Sequence, residues 1–293
     1  MKILITGGSG MLGYEFDSNR FDHEFIKPSH REMDVTNISQ IESILKKYQP
    51  DAVINAAAII NIDKCEEEKG FCFGVNRDGV KNILEAIKST GLKNVKFIQV
   101  SSSEVFGRLK EGEYEIEGYS EEDEPRPVTN YQKSKYDAEK ILEKFAENNP
   151  SLIGGSYIAR AGWLYGKGRR SFVDFMYEDL QREEEVIIAS DQWRSPTSAE
   201  FFASSVISLL DDSRENGIYH IVDEVKSGEA TPKDVVEEIQ RFLNESAKAK
   251  IKEVYRKDIF KTPRAPSNVL KNTKLQSQYW RESLRQYLNS IKI

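Results

Sequence analysis

Cysteine is scarce in this chain: two in 293 residues, Cys65 and Cys72. Their spacing of seven falls in a stretch that reads as helix and matches neither a CxxC metal pair nor a redox motif. The expectation is buried free thiols in a reducing compartment. Positive charge is not in excess either, since 42 Lys and Arg stand against 48 Asp and Glu and leave a net charge of −6. That balance argues against nucleic acid or an anionic membrane as partner. No apolar run reaches membrane-spanning length. The opening Met1-Lys2-Ile3-Leu4-Ile5-Thr6 passes straight into a strand-like run, without the apolar segment and cleavage site of a signal peptide. A cytoplasmic protein is expected. Internal repeats, low-complexity tracts and metal-ligand motifs are lacking too.

What is present is an ordinary globular composition, 39% hydrophobic and 31% charged, at a length that suggests about two domains or one large α/β unit with an appendage. Strand and helix patterns alternate through the first 160 residues: strands at Ile3–Thr6, Phe25–Ile26, Ala52–Asn55, Val95–Val100 and Ile153–Arg160, with helices at 11 onward, 38–48, 64–90 and 131–147. Two-sided apolar strands between helices predict a doubly wound parallel sheet. The second half is less regular, with helices at 171–182 and 199–210, strands at 186–188 and 218–222, then a mostly helical remainder broken by prolines at 262–266. The expected division is a dinucleotide-binding unit of 1–160 with 186–222, and a smaller, mostly helical substrate unit of 161–185 with 223–293. Between Glu111 and Glu124 lie eight acids and no base, by default a solvated loop, although loops of this length often cover a site.

Gly7, Gly10 and Gly13 follow the first strand directly and open a helix. Glycines so placed permit a tight turn and let a pyrophosphate approach backbone N–H groups, with Ser9, Met11 and Leu12 in the same turn. The end of the second strand, where a carboxylate would take the ribose hydroxyls of NAD, reads Ile26-Lys27-Pro28-Ser29-His30-Arg31. Bases there suit the 2′-phosphate of NADP, so Lys27, His30 and Arg31 point to NADPH, with NADH as the alternative. Asp34 and Val35 either lie beside the adenine or form a helix N-cap region.

Ser101-Ser102-Ser103 follows the strand ending at Val100, where ligands gather in an open parallel sheet. Downstream, Tyr131-Gln132-Lys133-Ser134-Lys135 puts a phenol and an ammonium on one helix face. A phenol is a poor acid at neutral pH, with a pKa of ~10, and a nearby cation favours the phenolate.

Together these residues resemble the extended short-chain dehydrogenase/reductase family over the full length, with Asn55-Ala56-Ala57-Ala58 and Asn76 as further matches. The resemblance implies that Tyr131 is the acid/base, that Lys135 binds the nicotinamide ribose and lowers the tyrosine pKa, and that Ser102 orients a carbonyl. It also implies that Asn76 supports the active-site architecture and that Ser101 and 55–58 face the cofactor. Three segments, Arg160 to Gly166, Asp191 to Thr197 and Pro263 to Asn268, resemble the dTDP-4-dehydrorhamnose reductase subfamily, in which they build a sugar-nucleotide pocket. By that resemblance Trp163 faces the sugar and Arg264 the diphosphate or base. Arg169 and Arg170, paired bases in a glycine-containing loop, are further diphosphate candidates.

The chain departs from that subfamily at Ser102-Ser103-Glu104, at Arg194 in place of a glycine and at Ala265 in place of an arginine. Ser103, Glu104 and Arg194 are therefore candidates for contact with the sugar. The expected activity is NADPH-dependent reduction of the 4-keto group of a nucleotide-linked 6-deoxyhexose, and a homodimer is compatible with the fold class. Two alternatives stay open. One is an NAD-dependent 4,6-dehydratase or 4-epimerase with Glu104 as base. The other is a non-catalytic NADP-binding regulatory subunit.

Overall fold

The computed structural model describes residues 1–108, 116–212 and 214–291. Its strands are β1 (Lys2–Thr6), β2 (Glu24–Ile26), β3 (Ala52–Asn55), β4 (Val95–Ser102), β5 (Ile153–Ala161), β6 (Trp163–Tyr165), β7 (Glu185–Ala189), β8 (Pro196–Ser198), β9 (Gly217–Ile221) and β10 (Lys250–Val254). The helices are α1 (Met11–Glu15), α2 (Ile38–Tyr48), α3 (Ile62–Glu67), α4 (Lys69–Phe73), α5 (Gly79–Thr90), α6 (Asn130–Asn148), α7 (Phe172–Arg182), α8 (Ala199–Asp211), α9 (Pro232–Leu243), α10 (Arg256–Ile259) and α11 (Trp280–Ile291).

Six strands pair in parallel in the order β2-β1-β3-β4-β5-β9. Alternation along each strand divides the core. Ile3, Ile5 and Ile54 pack on the face covered by Phe202, Val206 and Leu210 of α8, whereas Leu4, Val53 and Phe97 meet α2, α5 and Leu142 of α6. Strand order reverses at β1/β3, so a crevice opens beyond the carboxyl ends of those strands. A third cluster gathers Leu180, Val235, Ile239, Trp280 and Leu284 around β7 and β10.

The structure departs from the sequence reading first in its strands and in one helix. The strand at 186–188, expected with the dinucleotide unit, pairs with β10 instead. β10, with exposed or half-buried residues throughout, carries too weak an apolar signal to be read. The helix expected over 64–90 is broken: Glu68 (φ −117°, ψ 55°) ends α3, and a π-helical turn over Gly74–Asp78 separates α4 from α5. The break corrects the cysteine expectation. Seven residues of continuous helix would hold the Cα atoms at its ends about 10 Å from each other, too far for a bridge. The turn at Glu68 brings Cys65 and Cys72 to a Cα separation of 5.1 Å, and they form a disulfide rather than free thiols.

The acidic stretch falls partly outside the described residues, which resume at Ile116. Beyond that point it is not simply solvated. Glu121 is buried and accepts hydrogen bonds from the His220 N–H (3.2 Å) and the Thr273 hydroxyl (2.7 Å). Among the described residues no helix is long and apolar enough to cross a membrane.

Candidate active site

A cavity of about 960 Å³ opens at the β1/β3 crevice, at the upper end of the ~300–1,000 Å³ common for small-molecule sites. One end is backbone. Gly7 has φ +68°, and a Cβ there would lie 2.9 Å from the Ala56 carbonyl oxygen, so the turn closes against the strand end only without a side chain. Ser9, Gly10, Met11 and Leu12 line this end, opposite Ala56, Ala57 and Ala58. Gly13 does not line the cavity; it packs on the Gly8 backbone, where any Cβ would collide. A backbone cradle of this kind fits the pyrophosphate of a dinucleotide.

Lys27 leaves β2 beside the same turn, since a Cβ on Gly8 would lie 2.8 Å from the Lys27 Cβ. Partial burial draws its ammonium pKa down. His30 is exposed and 3.7 Å from Asp34, whose carboxylate also accepts from the Thr36 hydroxyl and N–H. Val35 is buried against Gly79. Lys27, His30, Arg31, Asp34 and Val35 are all absent from the cavity wall, Lys27 standing behind the glycine turn, and the aspartate is occupied by the turn that leads into α2. Asn55 closes β3 through bonds with Thr6 (2.5 Å) and Gln99 (2.8 Å). Asn76 sits in the π-helical turn, accepting from Ile59 N–H (2.7 Å) and donating to Ile59 O (3.0 Å) and Ser134 Oγ (3.0 Å). Both asparagines thus brace the site from behind.

The middle of the cavity holds Ser101, Ser102, Tyr131 and Lys135. A capping box sets the start of α6: the Thr129 hydroxyl accepts from Gln132 N–H, and the Gln132 side chain accepts from Thr129 N–H. Tyr131 therefore stands in the first turn. Burial, aided by the Glu104 charge and opposed by the neighbouring Ser102 hydroxyl, pushes the pKa of its phenol up to about 12. The expected net pull toward phenolate is not the outcome here, because desolvation exceeds it. Lys135 donates to the Val100 carbonyl at 2.7 Å. Burial lowers its pKa to about 8 against the upward pull of Glu139. Glu139 itself is held by Arg160 (2.8 Å) and by the Ser101 hydroxyl.

The far end is assembled from distant segments. β6 and β8 run parallel, and Trp163 N–H donates to Ser195 O at 2.6 Å; the Trp163 ring lies 4.5 Å from that of Phe172. Residues 192–194 are tied to 266–268 by Trp193 N–H to Pro266 O (2.8 Å) and Asn268 N–H to Trp193 O (3.2 Å). Glu104 meets Arg194 at 2.6 Å and Asn268 at 2.7 Å. Arg169, Arg170, Arg194 and Arg264 all line the cavity, as do Ser103 and Glu104. Arg170 is paired with Glu178 at 2.8 Å, and Arg264 donates to Asp63 at 3.3 Å. Gln192 and Asn268 line the wall too and were not singled out in the sequence; both lie in motif segments, but which way their side chains face is set only by the 192–194/266–268 pairing.

The family described as RmlD substrate binding domain matches residues 1–293. The chain is 30% identical to the spore coat polysaccharide biosynthesis protein SpsK of Bacillus subtilis over 98% of this chain and 96% of that protein. It is 30% identical to dTDP-4-dehydrorhamnose reductase of Aggregatibacter actinomycetemcomitans over 76% of this chain and 74% of that one. A solved dTDP-4-dehydrorhamnose reductase of Bacillus anthracis, in complex with NADP, superposes with a TM-score of 0.84 at 25% identity and covers 99% of both chains. A glycine cradle at a strand-order reversal, a Ser/Tyr/Lys set with buried tyrosine and lysine, and a full-length match together establish that this chain belongs to the RmlD substrate binding domain family.

Proposed function

We propose that this protein is an NADPH-dependent reductase of the 4-keto group of a dTDP-linked 6-deoxyhexose. The observation that carries this is that Tyr131 and Lys135, both buried and one helical turn apart on α6, line one cavity with Ser102 between the glycine cradle and the polar far end. Gly7, Ser9, Gly10, Met11 and Leu12 would hold the pyrophosphate of the cofactor, with Lys27 at its adenosine phosphate. Reduced nicotinamide supplies the hydride when bound. Ser102 donates a hydrogen bond to the carbonyl oxygen and so polarises it. Tyr131, with its pKa near 12, is protonated at neutral pH and delivers that proton to the developing alkoxide. Protonated Lys135 offsets the phenolate left behind.

Glu104 as the base of a dehydratase fits less well, because both its oxygens are already bonded, to Arg194 and Asn268 on one side and to Gln132 on the other. The complete Ser/Tyr/Lys set speaks for catalysis over a purely regulatory subunit. The first half, with β9, serves as the cofactor unit and the cluster around β7 and β10 as the sugar unit. Both ligands are multiply charged and do not cross membranes unaided, which supports a cytoplasmic setting.

The test is NADPH consumption by the purified protein with a dTDP-4-keto-6-deoxyhexose. One NADPH consumed per sugar reduced is expected; turnover without added reductant would reject reduction in favour of internal dehydration or epimerisation.

A further inference from the structure

We propose that Gln192 and Asn268, the latter held in place by the Glu104–Arg194 pair, form a clamp that reads a hydroxyl on the ring carbon next to the reacting carbonyl; this rests on the reductase reading above. Glu104 lies two residues beyond Ser102, on the short 3₁₀ turn Ser103–Val105, and its charge is felt by the Tyr131 phenol. A group held here therefore neighbours the carbonyl held by Ser102 and Tyr131.

The carboxylate is fixed from three directions. Its Oε1 accepts from Arg194 Nη1 (2.6 Å) and Asn268 Nδ2 (2.7 Å), and its Oε2 accepts from Gln132 Nε2 (3.1 Å). Glu104 and Arg194 keep 14% and 12% of their side-chain surface exposed, and that surface lies on the cavity wall. An ion pair largely withdrawn from water is costly unless its remaining valences are met, so a polar occupant is implied. Two unpaired atoms specify which kind. Asn268 is 1% exposed and its Oδ1 has no hydrogen-bond partner; Gln192 is 3% exposed and its Nε2 has none. Both residues line this cavity. Each unmatched atom is itself covered, so the acceptor and the donor meet a bound group as the two side chains turn toward the cavity.

A hydroxyl matches that pair, since it donates one hydrogen bond and accepts others. An ammonium offers donors only and would leave Gln192 unmatched beside the Arg194 charge. A methylene satisfies neither. The neighbouring carbon on the other side of a 6-deoxyhexose 4-ketone bears the methyl-substituted ring position, so the hydroxyl read is the one on C3.

The experiment compares a dTDP-4-keto-6-deoxyhexose with its 3-deoxy analogue, by kcat/KM and by calorimetric binding of each sugar nucleotide. Sites that hydrogen-bond a hydroxyl reject analogues lacking it strongly, and a preference of at least about 100-fold is expected for the unaltered enzyme. In Glu104→Gln and, separately, Asn268→Leu, the preference is expected to fall below roughly tenfold through loss on the hydroxylated sugar, with NADPH affinity unchanged. A preference in both variants as large as that of the unaltered enzyme, or no preference in the unaltered enzyme, overturns the clamp. If one variant fails to bind NADPH, the other decides. If neither sugar is reduced, the reductase reading fails, and the calorimetric difference alone decides the clamp.

Discussion

The cofactor end of the cavity draws its contacts from a few neighbouring residues, Gly7 to Leu12 against Ala56–Ala58, and presents mostly backbone. The sugar end is built the opposite way: Glu104 reaches partners 90 and 164 positions along the chain and presents charged side chains. A local backbone turn is determined by where glycine stands, whereas a side-chain clamp depends on the whole fold bringing its members together. Tyr131 is common to both, buried in the first turn of α6, with Ser102 on one side and the Glu104 charge felt from the other.

Substitutions can break this contrast at different points. The largest effect is expected where the ends meet: Tyr131→Phe should lower turnover by roughly 10²–10⁴-fold while leaving NADPH affinity intact, as measured by steady-state kinetics and cofactor titration. Lys27→Ala should weaken NADPH by about 10- to 100-fold, the size of a lost charge-assisted hydrogen bond, without changing NADH affinity; equal losses for both would remove Lys27 from phosphate recognition. Gly13→Ala forces a Cβ onto the Gly8 backbone and should destabilise the fold by about 1–3 kcal/mol, the usual scale of overpacking. A lowered Tm that NADPH no longer restores fully is the expected readout.

The smallest effect is a pH dependence. Lys135, with its pKa lowered to about 8, is charged below that value and loses its proton as pH rises through it. Its support of the phenolate is thus present on the acid side. The rate limited by proton transfer should fall to half its neutral value near pH 8, and a rate that rises across this range would remove the charged lysine from the step.

How much of this was legible in the sequence follows the same divide. β1, the glycine turn and α6 are local patterns, and α6 runs over Asn130–Asn148 where 131–147 was expected. The Thr129/Gln132 capping box explains that clarity. The break at Glu68 was hidden because α3 and α4 individually keep helix-compatible residues, and what separates them is tertiary: Glu66 accepts from Asn130 at the start of α6 (2.6 Å), and Cys65 pairs with Cys72. β6 and β8, three residues each, are too short for any period. The motif segments around 191–197 and 263–268 marked the right stretches of chain, but the orphaned Gln192 and Asn268 atoms become meaningful only once burial is known.

The most direct test is to supply NADPH deuterated at the transferable position together with a dTDP-4-keto-6-deoxyhexose, and to locate the label by nuclear magnetic resonance. Deuterium on C4 of the sugar is expected in the unaltered enzyme, with transfer suppressed in Tyr131→Phe. A sugar product that carries no deuterium, or transfer undiminished in Tyr131→Phe, would contradict a cavity in which cofactor and sugar meet at this tyrosine.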